Sequence, residues 1–186
     1  MTRNPPGGTL VDAFERAPRD APFVTMWRPG RAPECETLTF GGFLGLAARC
    51  ASFYRREGLK PGDTVVLIMP QDIPVMAAFV GAMLLGAIPT ILAYPTFKID
   101  PDKYRAGLNG VTANIQARLM ILDREFPAGL REHIVGHATT RVVQLDDRSL
   151  GDAAEPAERP PVDLDSVAFI QHSAGSGKSN SIAWLA

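Results

Sequence analysis

Cysteine is scarce in this sequence, and the two that occur, Cys35 and Cys50, are far apart. Their spacing does not match the CxxC pattern of zinc or redox sites, and two cysteines in a chain of this size do not make a disulfide framework. The amino terminus also lacks an apolar segment behind Arg3, so it does not have the form of a secretory signal. We therefore expect a protein of the reducing cytoplasm.

The sequence has no excess of one charge sign, because 19 Lys and Arg residues face 20 Asp and Glu residues. A nearly neutral chain has no general attraction to nucleic acid or to anionic membranes. We expect no nucleic-acid partner, and any phosphate ligand must be held by a local site. Because 46% of the residues are hydrophobic, the chain can bury a sizeable core.

An uninterrupted membrane-spanning helix is also missing. Residues 73–97 carry no charge and would be long enough to cross a bilayer. Gly86, Pro89 and Pro95 interrupt this stretch where such a helix would have to continue. We expect no transmembrane segment, and residues 87–92 are better interpreted as a short buried strand that follows a helix.

What is present is an alternation of two patterns along the chain. A short helix at 9–16 and a hairpin at 22–27 and 36–40 come first. Apolar runs typical of buried strands then alternate with segments of helical periodicity. The predicted strands are 64–69, 88–92, 119–122, 141–145 and 167–171, and the predicted helices are 43–54, 74–85, one opening at Asp100, and 130–137. This alternation predicts an α/β fold, with a parallel sheet covered by helices on both faces. Residues 146–161 are predicted to form a surface loop.

The most informative chemistry follows the last predicted strand, where residues 172–179 read HSAGSGKS. Small residues let the backbone turn tightly and direct several N–H groups at one anion. The hydroxyls of Ser173, Ser176 and Ser179 and the charge of Lys178 would add contacts to phosphate oxygens. The run therefore indicates a phosphate site, although a flexible polar tail has the same composition.

A nucleotide-hydrolase P-loop is a second interpretation of this run. The sequence of Gly177, Lys178 and Ser179 matches the end of that motif. The motif also requires a glycine five positions before Gly177, and His172 stands there. We therefore rank a small nucleotide hydrolase below the other interpretations.

Other candidate sites have simpler explanations. His133 and His137 are four apart, as zinc-binding pairs on helices are, but no third ligand stands nearby in the sequence. The pair Asp146 and Asp147 is more typical of a solvated loop than of paired acid/base catalysis.

Four segments, taken in order, resemble the opening part of AMP-forming acyl ligases. They are residues 38–40 (LTF), 58–63 (GLKPGD), 82–89 (AMLLGAIP) and 169–176 (FIQHSAGS). The last of these is similar to the start of the phosphate loop of that family. Residues 92–95 (LAYP), with the helix that follows, look most like fatty acyl-AMP ligases and long-chain acyl-CoA synthetases.

The resemblance implies a two-step reaction. A fatty-acid carboxylate attacks the α-phosphorus of Mg-ATP, pyrophosphate leaves, and the acyl group of the adenylate passes to a pantetheine thiol. It therefore implies ATP and Mg²⁺ as cofactors, with coenzyme A or a phosphopantetheine carrier as the acceptor in the full-length enzyme. At matched positions it implies phosphate-binding roles for Ser173, Gly175 and Ser176. Gly177 and Lys178 are further candidates, but Lys178 is not equated with the loop lysine of the family because it comes too early in the sequence. No catalytic residue or metal ligand is assigned.

After Ser176 the sequence departs from the family pattern. We expect residues 1–176 to form a partial AMP-binding domain, an incomplete amino-terminal subdomain of an adenylate-forming enzyme, and residues 177–186 to form a divergent tail. We expect a truncated, frame-shifted or altered product that has little or no ligase activity alone. The alternative is a non-catalytic module that binds a partner or self-associates through exposed apolar surface.

Overall fold

The structure, a computed structural model, describes residues 8–30, 32–151, 160 and 165–171. This part of the chain contains a two-stranded antiparallel sheet and a four-stranded parallel sheet. The elements, in chain order, are α1 (Leu10–Arg16), β1 (Pro22–Trp27), β2 (Cys35–Thr39), α2 (Phe40–Arg56), β3 (Thr64–Ile68), α3 (Ile73–Leu84), β4 (Ile88–Ile91), α4 (Pro101–Asn114), β5 (Leu119–Asp123), α5 (Ala128–Arg131), β6 (Arg141–Leu145) and α6 (Asp147–Leu150). The predicted α/β class and the amino-terminal hairpin are confirmed.

The hairpin packs on α2 through aromatic side chains. β1 and β2 are antiparallel, with Trp27 opposite Cys35 at the turn end. Phe23 of β1 lies with its ring centroid 4.5 Å from that of Phe40 and 4.7 Å from that of Phe43. Such aromatic contacts stabilise a fold by more than the burial of their surface alone. The small sheet is therefore attached to the larger unit at this cluster.

The strand β3 lies inside the four-stranded sheet, whose order is β4-β3-β5-β6. Its residues Val65, Val66, Leu67 and Ile68 have no exposed surface. Val65 and Leu67 face the cluster formed with α2 and α3, whereas Val66 and Ile68 face the cluster that includes Leu108 of α4. From Val65 to Ile68 the strand is apolar, rather than alternating, because helices cover both faces of a parallel sheet.

Three predicted elements differ from the structure. The helix predicted at 130–137 is reduced to the single turn of α5, because the chain turns away and the Val135 N–H donates instead to Thr112 Oγ1 at 2.9 Å. The predicted loop at 146–161 begins with a helical turn, α6, since Asp146 and Ser149 form a capping box. In the strand predicted at 167–171, only Ile170 forms a β-bridge, to Thr90.

In the described ranges, no helix combines the length and the apolar character that crossing a bilayer requires. The helix in the uncharged stretch, α3, has 12 residues and ends before Gly86. Gly86 has a φ of 73°, a left-handed conformation that glycine adopts without strain. The chain then enters β4.

The helices α2 and α3 are in close contact where Gly81 meets α2. A Cβ atom at Gly81 would stand 2.6 Å from both the Ala47 carbonyl oxygen and the Cys50 Cβ. In the same contact, the buried Tyr54 hydroxyl donates to the Ala78 carbonyl at 3.0 Å. Burial raises the pKa of the Cys50 thiol to about 12, so this thiol stays protonated and belongs to the packing.

Two threonines are fully buried on the face of the sheet that α4 covers, and they differ in hydrogen bonding. The Thr112 hydroxyl donates to the Leu108 carbonyl at 2.7 Å and accepts the Val135 N–H. The Thr90 hydroxyl, on β4, has no hydrogen-bond partner within the described residues. A buried hydroxyl without a partner lowers stability because it has lost its water.

We predict that Gly81→Ala destabilises the fold by about 1–3 kcal/mol, because the added methyl forces α2 and α3 apart. Gly45→Ala is the matched control, since Gly45 is an exposed residue within α2 with open space around it. That substitution should stabilise by about 0.5–1 kcal/mol. Urea unfolding followed by circular dichroism measures both effects. Equal stability of Gly81→Ala and the parent chain would contradict the close helix contact.

We predict opposite effects for the same chemical change at the two buried threonines. Thr90→Val should raise the free energy of unfolding by about 1–3 kcal/mol, because it removes an unpaired hydroxyl. Thr112→Val should lower it by a similar amount, about 1–3 kcal/mol, because the Leu108 and Val135 backbone groups lose their partner. The same urea titrations apply. A loss of stability in Thr90→Val would show that the Thr90 hydroxyl has a partner.

Candidate functional site at the carboxyl edge of the sheet

The candidate site lies at the carboxyl edge of the parallel sheet. The Ile170 N–H donates to the Pro89 carbonyl at 3.0 Å, and Ile170 forms a parallel bridge with Thr90. The segment around Ile170 therefore runs beside β4 and in the same direction. The segment therefore points toward the edge where β4 ends. Ligands of open parallel sheets bind at this edge, outside the carboxyl ends of the strands.

The phosphate-binding candidates Ser173, Gly175, Ser176, Gly177 and Lys178 lie outside the described residues. The structure describes the chain up to Gln171, just before this run. The described residues form the carboxyl edge of the sheet beside the segment of Ile170.

A tyrosine after β4 crosses the end of β3. The Tyr94 hydroxyl donates to Asp123 Oδ1 at 3.3 Å, and the same oxygen accepts the Glu125 N–H at 2.8 Å. Because β3 lies between β4 and β5, this contact spans the carboxyl end of β3. Burial and the Asp123 charge raise the pKa of Tyr94, so its hydroxyl remains a donor at neutral pH. Its ring also lies edge-on to Phe126, with centroids 6.2 Å apart.

The loop between β4 and α4 is held from a second side. The Tyr104 hydroxyl, on α4, donates to the Ala93 carbonyl at 2.8 Å. Burial raises the pKa of Tyr104 to about 12, which keeps this donor protonated as well. Later in the same loop, the Phe97 side chain is 95% exposed and the Lys98 Nζ lies 5.7 Å from its ring centroid. The start of the loop is thus fixed, and its later part presents an aromatic ring and a cation to solvent.

The segment after β3 is fixed by charged side chains. Asp72 caps α3 by accepting the Ile73 N–H at 2.7 Å. Arg28, at the end of the hairpin, donates to Asp72 Oδ1 at 2.5 Å and also binds Glu36. The hydrogen bond to Asp72, and to a lesser extent the one to Glu36, raises the pKa of Arg28, which stays charged. The amino terminus of α3 is therefore already occupied by a carboxylate, and this network ties the hairpin to the edge of the sheet.

The described residues do not build a magnesium site. In the described ranges, no group of three His, Cys, Asp or Glu side chains is arranged to hold a metal ion. His133 and His137 do not share a helix, and the His137 Nε2 lies 3.1 Å from the Ala113 carbonyl oxygen. Asp123, one of the carboxylates at this edge, is already bound by Tyr94 and by the Glu125 N–H.

The sequence analysis did not identify the side chains that shape this edge. Asp72 follows the predicted strand 64–69, and Asp123 follows the predicted strand 119–122. Their positions just after strands indicate that both carboxylates lie at the carboxyl edge of the sheet. No sequence pattern predicts the hydrogen bond between Tyr94 and Asp123, because it depends on the order of strands in the sheet. The same holds for Arg28, which is 44 residues from Asp72 in the chain.

The chain is similar in sequence to several curated proteins. It is 29% identical over 143 residues to enterobactin synthase component E of Escherichia coli, a match that covers 70% of this chain and 25% of that protein. It is 28% identical over 166 residues to a protein of Mycobacterium tuberculosis whose assigned name is that of a fatty-acid–CoA ligase, covering 87% of this chain and 28% of that protein.

A solved structure has the same fold. It is the fatty acyl-adenylate ligase from L. pneumophila in complex with acyl adenylate and pyrophosphate, with a TM-score of 0.66 and 21% identity. The alignment covers 90% of this chain and 28% of that one. The chain thus spans about a quarter of the length of the curated relatives described above.

The family model described as "AMP-binding enzyme" matches residues 11–177, which include the hairpin, the four-stranded sheet and the start of the run at 172–179. The match covers far more than half of the 186 residues. The chain belongs to the AMP-binding enzyme family.

Proposed function

We propose that this chain forms the amino-terminal part of a ligase that activates a long-chain fatty acid with ATP. The product would be an acyl-adenylate, whose acyl group passes to a pantetheine thiol of coenzyme A or of a carrier protein. One observation carries the proposal: the run that begins at His172 directly follows a segment bridged to β4 through Ile170, at the carboxyl edge. The family match and the acyl-adenylate relatives support it.

In this proposal, the phosphate run holds the ATP phosphates. Backbone N–H groups around Gly175 and hydroxyls of Ser173 and Ser176 would bind phosphate oxygens, with Gly177 and Lys178 as additional contacts. Attack on the α-phosphorus needs charge neutralisation and in-line placement, which fixed donors supply without reorganisation. Mg²⁺ would add positive charge, and it is commonly bound through substrate phosphates and few carboxylates.

The described residues would give this run a rigid neighbour. The loop after β4 begins beside the segment of Ile170, and Tyr94 and Tyr104 fix its start through Asp123 and the Ala93 carbonyl. A site that must hold reacting groups in line is more effective when its supports cannot shift.

We also propose that the 186 residues alone do not catalyse the reaction. The chain corresponds to 25% and 28% of the two curated relatives compared above. In the family, the adenine pocket, the acidic residue for the ribose, much of the acyl tunnel and the mobile lobe with its lysine belong to later segments. The complete ligase would act in the cytoplasm.

Pyrophosphate release with Mg-ATP and a series of fatty acids tests this proposal. The chain alone should release none above background, whereas the chain extended through the downstream segments of a related ligase should release pyrophosphate only when a fatty acid is present. In the extended protein, Gly175→Val should lower the rate by about 10²–10³-fold, because the side chain keeps phosphate away from the backbone donors. Gly45→Ala, at an exposed position of α2, is the control and should leave the rate unchanged.

Three outcomes would contradict parts of the proposal. Release that is independent of fatty acid in the extended protein would contradict the ligase function. Formation of acyl-adenylate by the chain alone would contradict its inactivity. ATP hydrolysis by the chain alone, without any carboxylic acid and abolished by Lys178→Ala, would favour the nucleotide-hydrolase interpretation.

A further inference from the structure

An aromatic contact joins the segment 165–171 to the helix α3. The Phe169 ring lies edge-on to the ring of Phe79, on α3, with centroids 5.6 Å apart. Both side chains are half-buried, and Phe79 also packs against the core cluster between the sheet, α2 and α3. The helix α3 therefore reaches the segment from one face of the sheet, beside the bridge between Ile170 and Thr90.

Phe169 and Ile170 lie on opposite faces of the sheet. Thr90 is opposite Val66, on the face that α4 covers, and Ile170 is bridged to Thr90. Side chains alternate between the two faces along a strand, so Phe169 belongs to the other face, where α3 packs. The contact between Phe169 and Phe79 agrees with this alternation.

The backbone alone fixes the position of this segment weakly. Within the described residues it is joined to β4 by a single β-bridge, in which the Ile170 N–H donates to the Pro89 carbonyl at 3.0 Å. A strand held in this way can slip along its neighbour. A slip of one residue is resisted, because it moves every side chain to the opposite face. A slip of two residues keeps the faces and is not resisted by them.

The Phe79 ring discriminates between the registers that remain. A slip of two residues would put either Gln171 or Val167 in the place of Phe169. Gln171 is disfavoured there, because its amide would lose water in an apolar contact. Val167 is the apolar competitor, but it cannot form the edge-on ring contact that stabilises beyond the burial of surface. The observed register is therefore the one that Phe79 favours.

We propose that Phe79 is a positioning residue that sets the register of the segment 165–171 on β4. The segment leads directly into the run at 172–179, so its register also sets where that run begins. A strand rises about 3.3 Å per residue, and a slip of two residues displaces the start of the run by about 7 Å. Hydrogen bonds of about 3 Å to phosphate do not survive such a displacement. This consequence rests on the proposed function, in which the run holds the ATP phosphates.

Amide hydrogen exchange of the 186-residue chain, resolved by NMR, tests the register. Phe79→Leu removes the ring contact, and the Ile170 amide should exchange about 2- to 10-fold faster. The Ala168 amide has no backbone partner among the described residues. It should become more protected in this variant, because a slip of two residues brings it to the Pro89 carbonyl. Phe79→Tyr keeps the ring and should behave like the parent.

Phe14→Leu is the matched control for loss of a ring contact. The Phe14 ring lies edge-on to that of Phe23, with centroids 5.3 Å apart, and this contact joins α1 to the hairpin. The variant should leave the exchange of the two test amides unchanged. Adding Phe169→Leu to Phe79→Leu should not speed the exchange further, because the contact is already lost.

Steady-state kinetics of the extended ligase tests the link to the phosphate run. Phe79→Leu should raise the KM for Mg-ATP by about 2- to 10-fold, because ATP binds only the fraction of molecules in the parent register. The kcat and the KM for the fatty acid should change less, since saturating ATP restores that register. Phe14→Leu should change none of these constants.

Equal Ile170 exchange in Phe79→Leu and in the parent would overturn the proposal. Equal acceleration in Phe14→Leu would also overturn it, because the effect would then be a general loss of stability. An unchanged KM for Mg-ATP in an active Phe79→Leu ligase would overturn the positioning of the run. An extended parent protein that needs no fatty acid contradicts the ligase function alone, and the exchange results still decide the register.

Discussion

Burial of β3 between two helical layers is the constraint on which the rest of the structure depends. Four consecutive residues of this strand have no exposed surface, and they alternate between the cluster with α2 and α3 and the cluster with α4. A strand buried on both faces fixes its neighbours on each side, so β4 and β5 take their register from it. Within one of these layers, α2 and α3 are in close contact at Gly81.

The carboxyl edge of the sheet inherits its shape from that arrangement. The ends of β4, β3 and β5 lie side by side, so Tyr94 can reach Asp123 across the end of β3. The Arg28 network fixes the turn into α3 at the same edge. Together these contacts produce a firm surface beside the segment of Ile170, which is what phosphate chemistry at this edge would require.

Most elements could be predicted from local patterns, and the exceptions have tertiary causes. The helix predicted at 130–137 ends early because Thr112, on another helix, takes the Val135 N–H. The helical turn α6 could have been predicted from Asp146 and Ser149, whose spacing allows reciprocal capping. The strand predicted at 167–171 forms one bridge at Ile170, because pairing requires a neighbour at hydrogen-bonding distance as well as an apolar run.

The sequence by itself determined the α/β class, the hairpin and the resemblance to AMP-forming ligases, because each is encoded in neighbouring residues or in the order of short motifs. Only the tertiary structure decided that β3 lies inside the sheet, that Tyr94 and Asp123 meet, and that Arg28 binds Asp72. Those features depend on strand order, which is set by how the layers pack and not by any local pattern.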